Sequence, residues 1–239
     1  MKSERGTKAR RHAGTKQRVA LVALLALLML MPGCIAADLF GALAGHRNVE
    51  ARHELADRPT LVFVEDPDDA LASGSLRHVV AANVAHHLVV NEVLTDEPIS
   101  PRRLARLAEE LGSGFDALAI DEVGRRLGAE QVIHVLVESA SLEYHAPTVL
   151  RPRASAQVRV IDAVASRRVF PAVTGFQSPG ARPSGESVSV QMEHRSATED
   201  QRRGRDPRLH RELAERLGLE VARLFYDHRL PERGERFDK

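Results

Sequence analysis

One cysteine stands in the 239-residue chain, Cys34, at the end of the stretch VALVALLALLMLMPGC. A lone thiol cannot form a disulfide within its own chain, which leaves a reactive sulfur or a sulfur that carries a covalent group. Histidine offers the next candidates. His86 and His87 are adjacent, so on a helix they point about 100° apart and cannot both ligate one metal ion. His134 falls inside an apolar run, where a hydrogen-bonded core histidine is expected. The acidic run EDPDD (65–69) lacks the glycine and the distal glutamate of a calcium loop, so its carboxylates are expected to cap turns. Asp162 ends a β-branched run before a turn, the position at which aspartate bonds nearby backbone N–H groups. Arg202, Arg203 and Arg205 form a basic cluster in a polar stretch, suited to solvent or to an acidic partner. There is no G-x-S-x-G, no H-E-x-x-H, no paired-cysteine metal signature and no phosphate-cradling loop ending in Lys-Ser/Thr. The chain is therefore expected to have no catalytic residues, to bind no metal and to need no cofactor.

The surroundings of Cys34 choose between its two chemistries. Ahead of it lies MKSERGTKARRHAGTKQR, with Lys2, Arg5, Lys8, Arg10, Arg11, Lys16 and Arg18 against Glu4 alone. An apolar run of thirteen residues follows, Val19 to Met31, whereas a membrane-spanning helix needs about 20. Pro32 breaks it. A basic segment, a short apolar segment and small Gly33 before Cys34 resemble the bacterial lipoprotein signal, the lipobox. The resemblance implies cleavage between Gly33 and Cys34, a diacylglyceride on the Cys34 sulfur and an acylated new amino terminus. Met31 and Pro32 depart from the usual pattern. Two readings compete: an uncleaved signal anchor, because residues 19–45 carry only Asp38 as a charge, and a cleaved secretory peptide with an incidental cysteine.

Cleavage would also reverse the charge balance. The chain has 34 bases and 33 acids; residues 1–33 hold seven and one of these, leaving 27 and 32, a net of −5. A mildly acidic product with no basic stripe argues against a nucleic-acid partner. The lack of any second cysteine suits an oxidising envelope compartment.

The expected organisation is a signal peptide (1–33), a tether (34–56), one domain (57–230) and a polar tail (231–239). TLVFVED (60–66) reads as a buried strand. Ser75 is expected to cap a helix through about Asn91, on which Leu76, Val80, Val84 and Leu88 recur at four-residue spacing. EPIS suggests a short second strand, and Ser100-Pro101 a helix start with Leu104, Leu107 and Leu111 on one face. A third helix is expected near Asp116 to Leu127, closed by Gly128 in a left-handed conformation. AEQVIHVLVES is apolar on both faces and reads as a central strand. ASAQVRVID (154–162) alternates, RRVFP pairs with it as a hairpin, and ESVSVQMEH alternates again. The last helix, Arg208 to about Arg229, carries Leu209, Leu213, Leu217, Val221, Leu224 and Phe225 on one ridge. Gly218 within that ridge implies a close approach, expected against the sheet. The fold class is α+β, a mixed or antiparallel sheet with helices packed on it.

The stretches IDEVGRRLGAEQVIHVLVES and AQVRVIDAVASRRVFP resemble a bacterial envelope pattern in which a helix ending in LGA feeds a strand and a later strand ends in VID. That is similar to the periplasmic domain shared by curli-secretion lipoproteins, peptidoglycan-synthase activator lipoproteins and the amino-terminal domain of the Tol-system propeller protein. Gly128, Ala129, Val160, Ile161 and Asp162 are its best matches, and the likeness covers roughly residues 58–229. It implies a lipid-anchored domain facing the periplasm, on the outer rather than the inner membrane, working without catalysis as a binding or assembly partner. The partner would be an envelope protein or a cell-wall polymer. A structural subunit of a secretion or transport assembly is the alternative, and an envelope hydrolase the third reading. Pore formation does not carry over, because a membrane-crossing strand needs about 9 to 11 alternating residues and SVSVQM is shorter, with a charged flank.

Overall fold

Six β-branched or apolar-flanked residues, Thr60–Glu65, form β1, and five of them are buried. The computed structural model describes residues 48–146, 149–172, 184–195 and 206–230. After β1 come α1 (Gly74–Val90), α2 (Pro101–Leu111) and α3 (Ile120–Leu127), then β2 (Gln131–Ala146), β3 (Val149–Asp162), β4 (Arg167–Phe170), β5 (Glu186–Gln191), β6 (His194–Arg195) and α4 (Pro207–Ala222). The fold is α+β: one mixed six-stranded sheet with helices on it. β1 and β2 run parallel, so α1, α2 and α3 form the crossover that parallel pairing requires. β3 is antiparallel to β2 along one side and to β4, β5 and β6 along the other.

The period of two divides the core between the two faces of this sheet. Val62, Ile133 and Val160 sit in register and join Val80, Val84, Leu88, Leu213, Leu217 and Val221 from α1 and α4 in one apolar cluster. Leu61 and Val132, each one residue out of phase, join Leu104, Val123 and Leu127 from α2 and α3 in a second cluster. β2 is buried on both faces for that reason, and Ala154, Ala156, Val158 and Val160 of β3 all point to the first cluster.

Several boundaries differ from expectation. Ser73, not Ser75, caps α1: its side chain accepts the Ser75 N–H. Residues 112–114 form a 3₁₀ turn, and α3 begins at Ile120 rather than Asp116, after Ala119 in an extended conformation. Asp121 and Glu122 then fall in its first turn, where carboxylates meet the positive end of the helix dipole. EPIS contributes a single parallel bridge, Ile99 to Leu61, rather than a strand. β2 and β3 extend past the expected ends to form one long hairpin. α4 stops at Ala222, tightens into a 3₁₀ turn over 223–225 and gives way to extended Tyr226 instead of continuing to Arg229. Within the span expected as tether, the Arg52 and His53 N–H groups donate to Leu224 O and Leu55 is buried.

Two glycines answer for close packing. A Cβ on Gly218 would lie 2.7 Å from Asn83 Cβ and 2.9 Å from Val80 O, so α4 presses against α1 there, not against the sheet as expected. A Cβ on Gly124 would lie 2.6 Å from Val132 Cγ2, which places α3 directly on β2. Gly128 closes α3 at φ 81°, the left-handed value expected of it.

Candidate functional site

β1 lies at the edge of the sheet with α1 on one side and α2 on the other. A cleft of about 220 Å³ opens over that edge, lined by Val62, Phe63, Val64, Ala81, Leu104 and Phe115. A second depression, of about 780 Å³, adjoins it along α1 and the start of α2, and includes His78, His86, Glu97 and Arg102. His78 lines both. The small alanines of α1 and α2 leave this room; leucines at Ala81, Ala105 or Ala108 would fill it.

Phe63 connects the cleft to the buried interior. Its ring meets Phe115 edge-on at 6.1 Å between centroids and His134 at 5.6 Å on its other side. His134 is 0 % exposed, and both ring nitrogens are engaged. Arg159 Nη2 lies 2.8 Å from Nδ1, and because arginine can only donate, Nδ1 must accept. Nε2 therefore carries the proton and donates to Glu65 Oε2 at 2.7 Å. The imidazole is neutral, wired between a cation and an anion. Burial pushes its pKa below the ordinary value; Glu65 opposes that shift and Arg159 adds to it. The hydrogen bond from His134 in turn holds the Glu65 carboxyl below its usual range.

This wiring makes the stability of the fold depend on pH. A histidine whose folded pKa is depressed contributes stability that is present above its unfolded value, about 6.5, and lost as pH falls toward the folded value. Glu65, also depressed, adds a loss at lower pH. Urea midpoints should therefore start to fall as pH drops below about 6.5, ahead of the carboxylate range. Half-buried His53 and His87 shift in the same direction, so His134→Gln should reduce the slope between pH 7 and 5 without removing it. An unchanged slope would mean that His134 does not titrate in this way.

The other residues singled out in the sequence occupy structural positions. Asp162 Oδ1 accepts the Val164 and Ala165 N–H groups at 3.1 and 2.8 Å, and Oδ2 receives Arg58 at 3.2 Å. The Ala165 bond is the first cause of its lowered pKa. In EDPDD, Asp66 accepts the Ala70 and Leu71 N–H groups, closing the turn after β1. His86 and His87 rings meet at 5.3 Å but diverge by 66°. No group of three or more His, Cys, Asp or Glu side chains among the described residues is placed to hold a metal ion. Cys34, Gly33 and the cluster Arg202, Arg203 and Arg205 lie outside the described residues. Sequence reasoning missed the cleft and the Glu65–His134–Arg159 array. The strand register sets His134 opposite Phe63 on one side and Arg159 on the other, and Glu65, two residues on from Phe63 and on the same face, reaches the ring diagonally.

No protein-family model matches the chain, and no curated protein matches it. Among solved structures, a PelC dodecamer from Paraburkholderia phytofirmans is 13% identical, with 76% of this chain and 98% of that chain covered at a TM-score of 0.36. Lipoprotein GNA1162 from Neisseria meningitidis is 12% identical over 69% and 94% of the two chains, TM-score 0.35. A minor lipoprotein from Acinetobacter baumannii is 9% identical over 71% and 92%, TM-score 0.35. These values describe a loose likeness to bacterial lipoproteins and do not single out the curli-secretion, activator or Tol-propeller grouping. Among the described residues, no helix is long and apolar enough to cross a membrane.

Proposed function

We propose that this protein is an envelope lipoprotein, anchored by lipid on Cys34, whose α+β domain faces the periplasm and works by binding, without catalysis, as an assembly partner in a cell-envelope complex. One observation carries the reading: the only cysteine of the chain closes a thirteen-residue apolar run preceded by seven bases. A thioether to a lipid needs a thiol at that point, and Cys34 supplies it. The largely apolar cleft between α1 and α2, with Arg77 and His78 on its α1 side, supports binding as the task. Outer-membrane attachment and an envelope protein as partner belong to the same proposal.

Cys34→Ser is the test. One acyl chain gives marginal membrane binding and two or more give stable anchoring, so removal of every chain should release a folded protein. Metabolic palmitate labelling should disappear, and the variant should move from the membrane pellet to the soluble fraction. Persistent labelling of the variant would overturn the lipid reading, and loss of label with retention in the pellet would favour an uncleaved signal anchor.

A further inference from the structure

The backbone along the outer edge of β1, reached through the cleft although Val62 and Val64 are largely covered, is arranged to receive another strand. Ile99 N–H donates to Thr60 C=O at 2.8 Å from that side. Alternate residues of a strand send both backbone polar groups the same way, so Val62 and Val64 share the outward direction of Thr60, while Leu61, Phe63 and Glu65 are turned to β2. The single bridge at Ile99 is as far as the chain itself goes, because Ser100 caps α2 and the backbone turns away. Past Ile99, no described residue pairs with the outward groups of Val64, and the cleft lies over them. A strand edge with unpaired N–H and C=O groups in an apolar trough is the geometry of strand addition.

We propose that this edge takes an extended, acidic segment of another protein as an added strand, running on from Ile99 along Val62 to Val64. The proposal rests on the reading of the domain as a binding module and names its site. Backbone pairing would cover two or three residues, since a strand advances about 3.3 Å per residue. An aliphatic side chain of the incoming segment would meet Phe63 and Phe115, as Ile99 already packs with that cluster. Charge sets the sign of the segment. Arg77, Arg102 and two histidines line the two depressions against Glu97 alone. Glu65 and Asp66, at the end of β1, are already engaged by His134 and by the Ala70 and Leu71 N–H groups.

A blocked seven-residue peptide of alternating glutamate and valine, carrying fluorescein, serves as the probe for the full chain in detergent micelles. Saturable binding is expected, with slowed hydrogen exchange at the Val64 amide in its presence. N-methylation of alternate peptide amides, which removes one edge of donors and keeps the charge, should weaken binding at least tenfold. Ala108→Trp, which fills the cleft from α2, should do the same, and exposed Arg77→Glu should weaken binding without disturbing the fold. Equal binding of the N-methylated peptide would reduce the effect to charge attraction and overturn the proposal. So would an unprotected Val64 amide, or protection that rises with protein concentration alone, which would assign the edge to a second copy. Labelling of Cys34 is read separately, so a failed edge leaves the anchor standing, and a failed anchor leaves the edge to be judged on its own.

Discussion

Leu217→Asp should destabilise the domain severely, lowering its urea midpoint far below that of the wild type. Leu217 is fully buried on α4 beside Leu213 and Val221, and this ridge belongs to the cluster that α1 and the sheet share. Burying one such side chain is worth about 1.5 to 3 kcal/mol, and the aspartate must in addition either lose its charge or draw water into the core. The combined loss of roughly 4 kcal/mol or more is comparable with the lower end of a whole-domain stability of about 5 to 15 kcal/mol. Arg211→Asp, on the exposed side of the same helix, breaks only a surface pair with Glu215 and should cost under about 1 kcal/mol. Urea melts followed by circular dichroism separate the two. Equal, wild-type-like midpoints would mean that α4 is displayed for a partner rather than packed.

Gly218→Leu should come next in severity. The nearest atoms to a new Cβ belong to the α1 backbone and to Asn83 Cβ, neither of which can swing aside. The helices must separate, and overpacking of this kind costs about 1 to 3 kcal/mol. Gly218→Ala sharpens the test, because an unconstrained helical glycine gains about 1 kcal/mol on becoming alanine. A lower urea midpoint for the alanine variant is expected. A higher one would show that the helices do not touch closely at this position.

The contrast between these two residues marks what the sequence makes legible. The ridge of α4 follows from spacing alone, because leucine and valine recur at helical intervals and nothing else satisfies them. That Gly218 needs space is also readable, but its neighbour is not: the choice between helix and sheet depends on how α1 and α4 cross. Gly124, equally tight against Val132, passed as an ordinary helical residue because one glycine inside a short amphipathic run carries no directional signal. The long β2–β3 hairpin was concealed by Pro152, which lacks a ladder donor and reads as a breaker, yet pairs opposite Leu142 in the strand.

The same limit explains the candidate site. His134 reads as a core histidine because apolar residues flank it, and it is one. Its partners are 69 and 25 residues away in sequence, and they meet only because strand pairing sets Arg159 opposite His134 and Glu65 diagonal to it on the same face. The cleft is harder still, being made of what is absent: alanines on two helices and an edge strand left without a neighbour after Ile99. Asp162 was readable because its bonds are local, to residues two and three positions on.

Mass spectrometry of the amino-terminal peptide from membrane-extracted protein bears most directly on the function proposed for the chain. A peptide that starts at Cys34 and carries a diacylglyceryl group and a third acyl chain is the expected result. A peptide that continues upstream through Gly33, or one that starts at an unmodified residue downstream, would contradict lipid anchoring at Cys34.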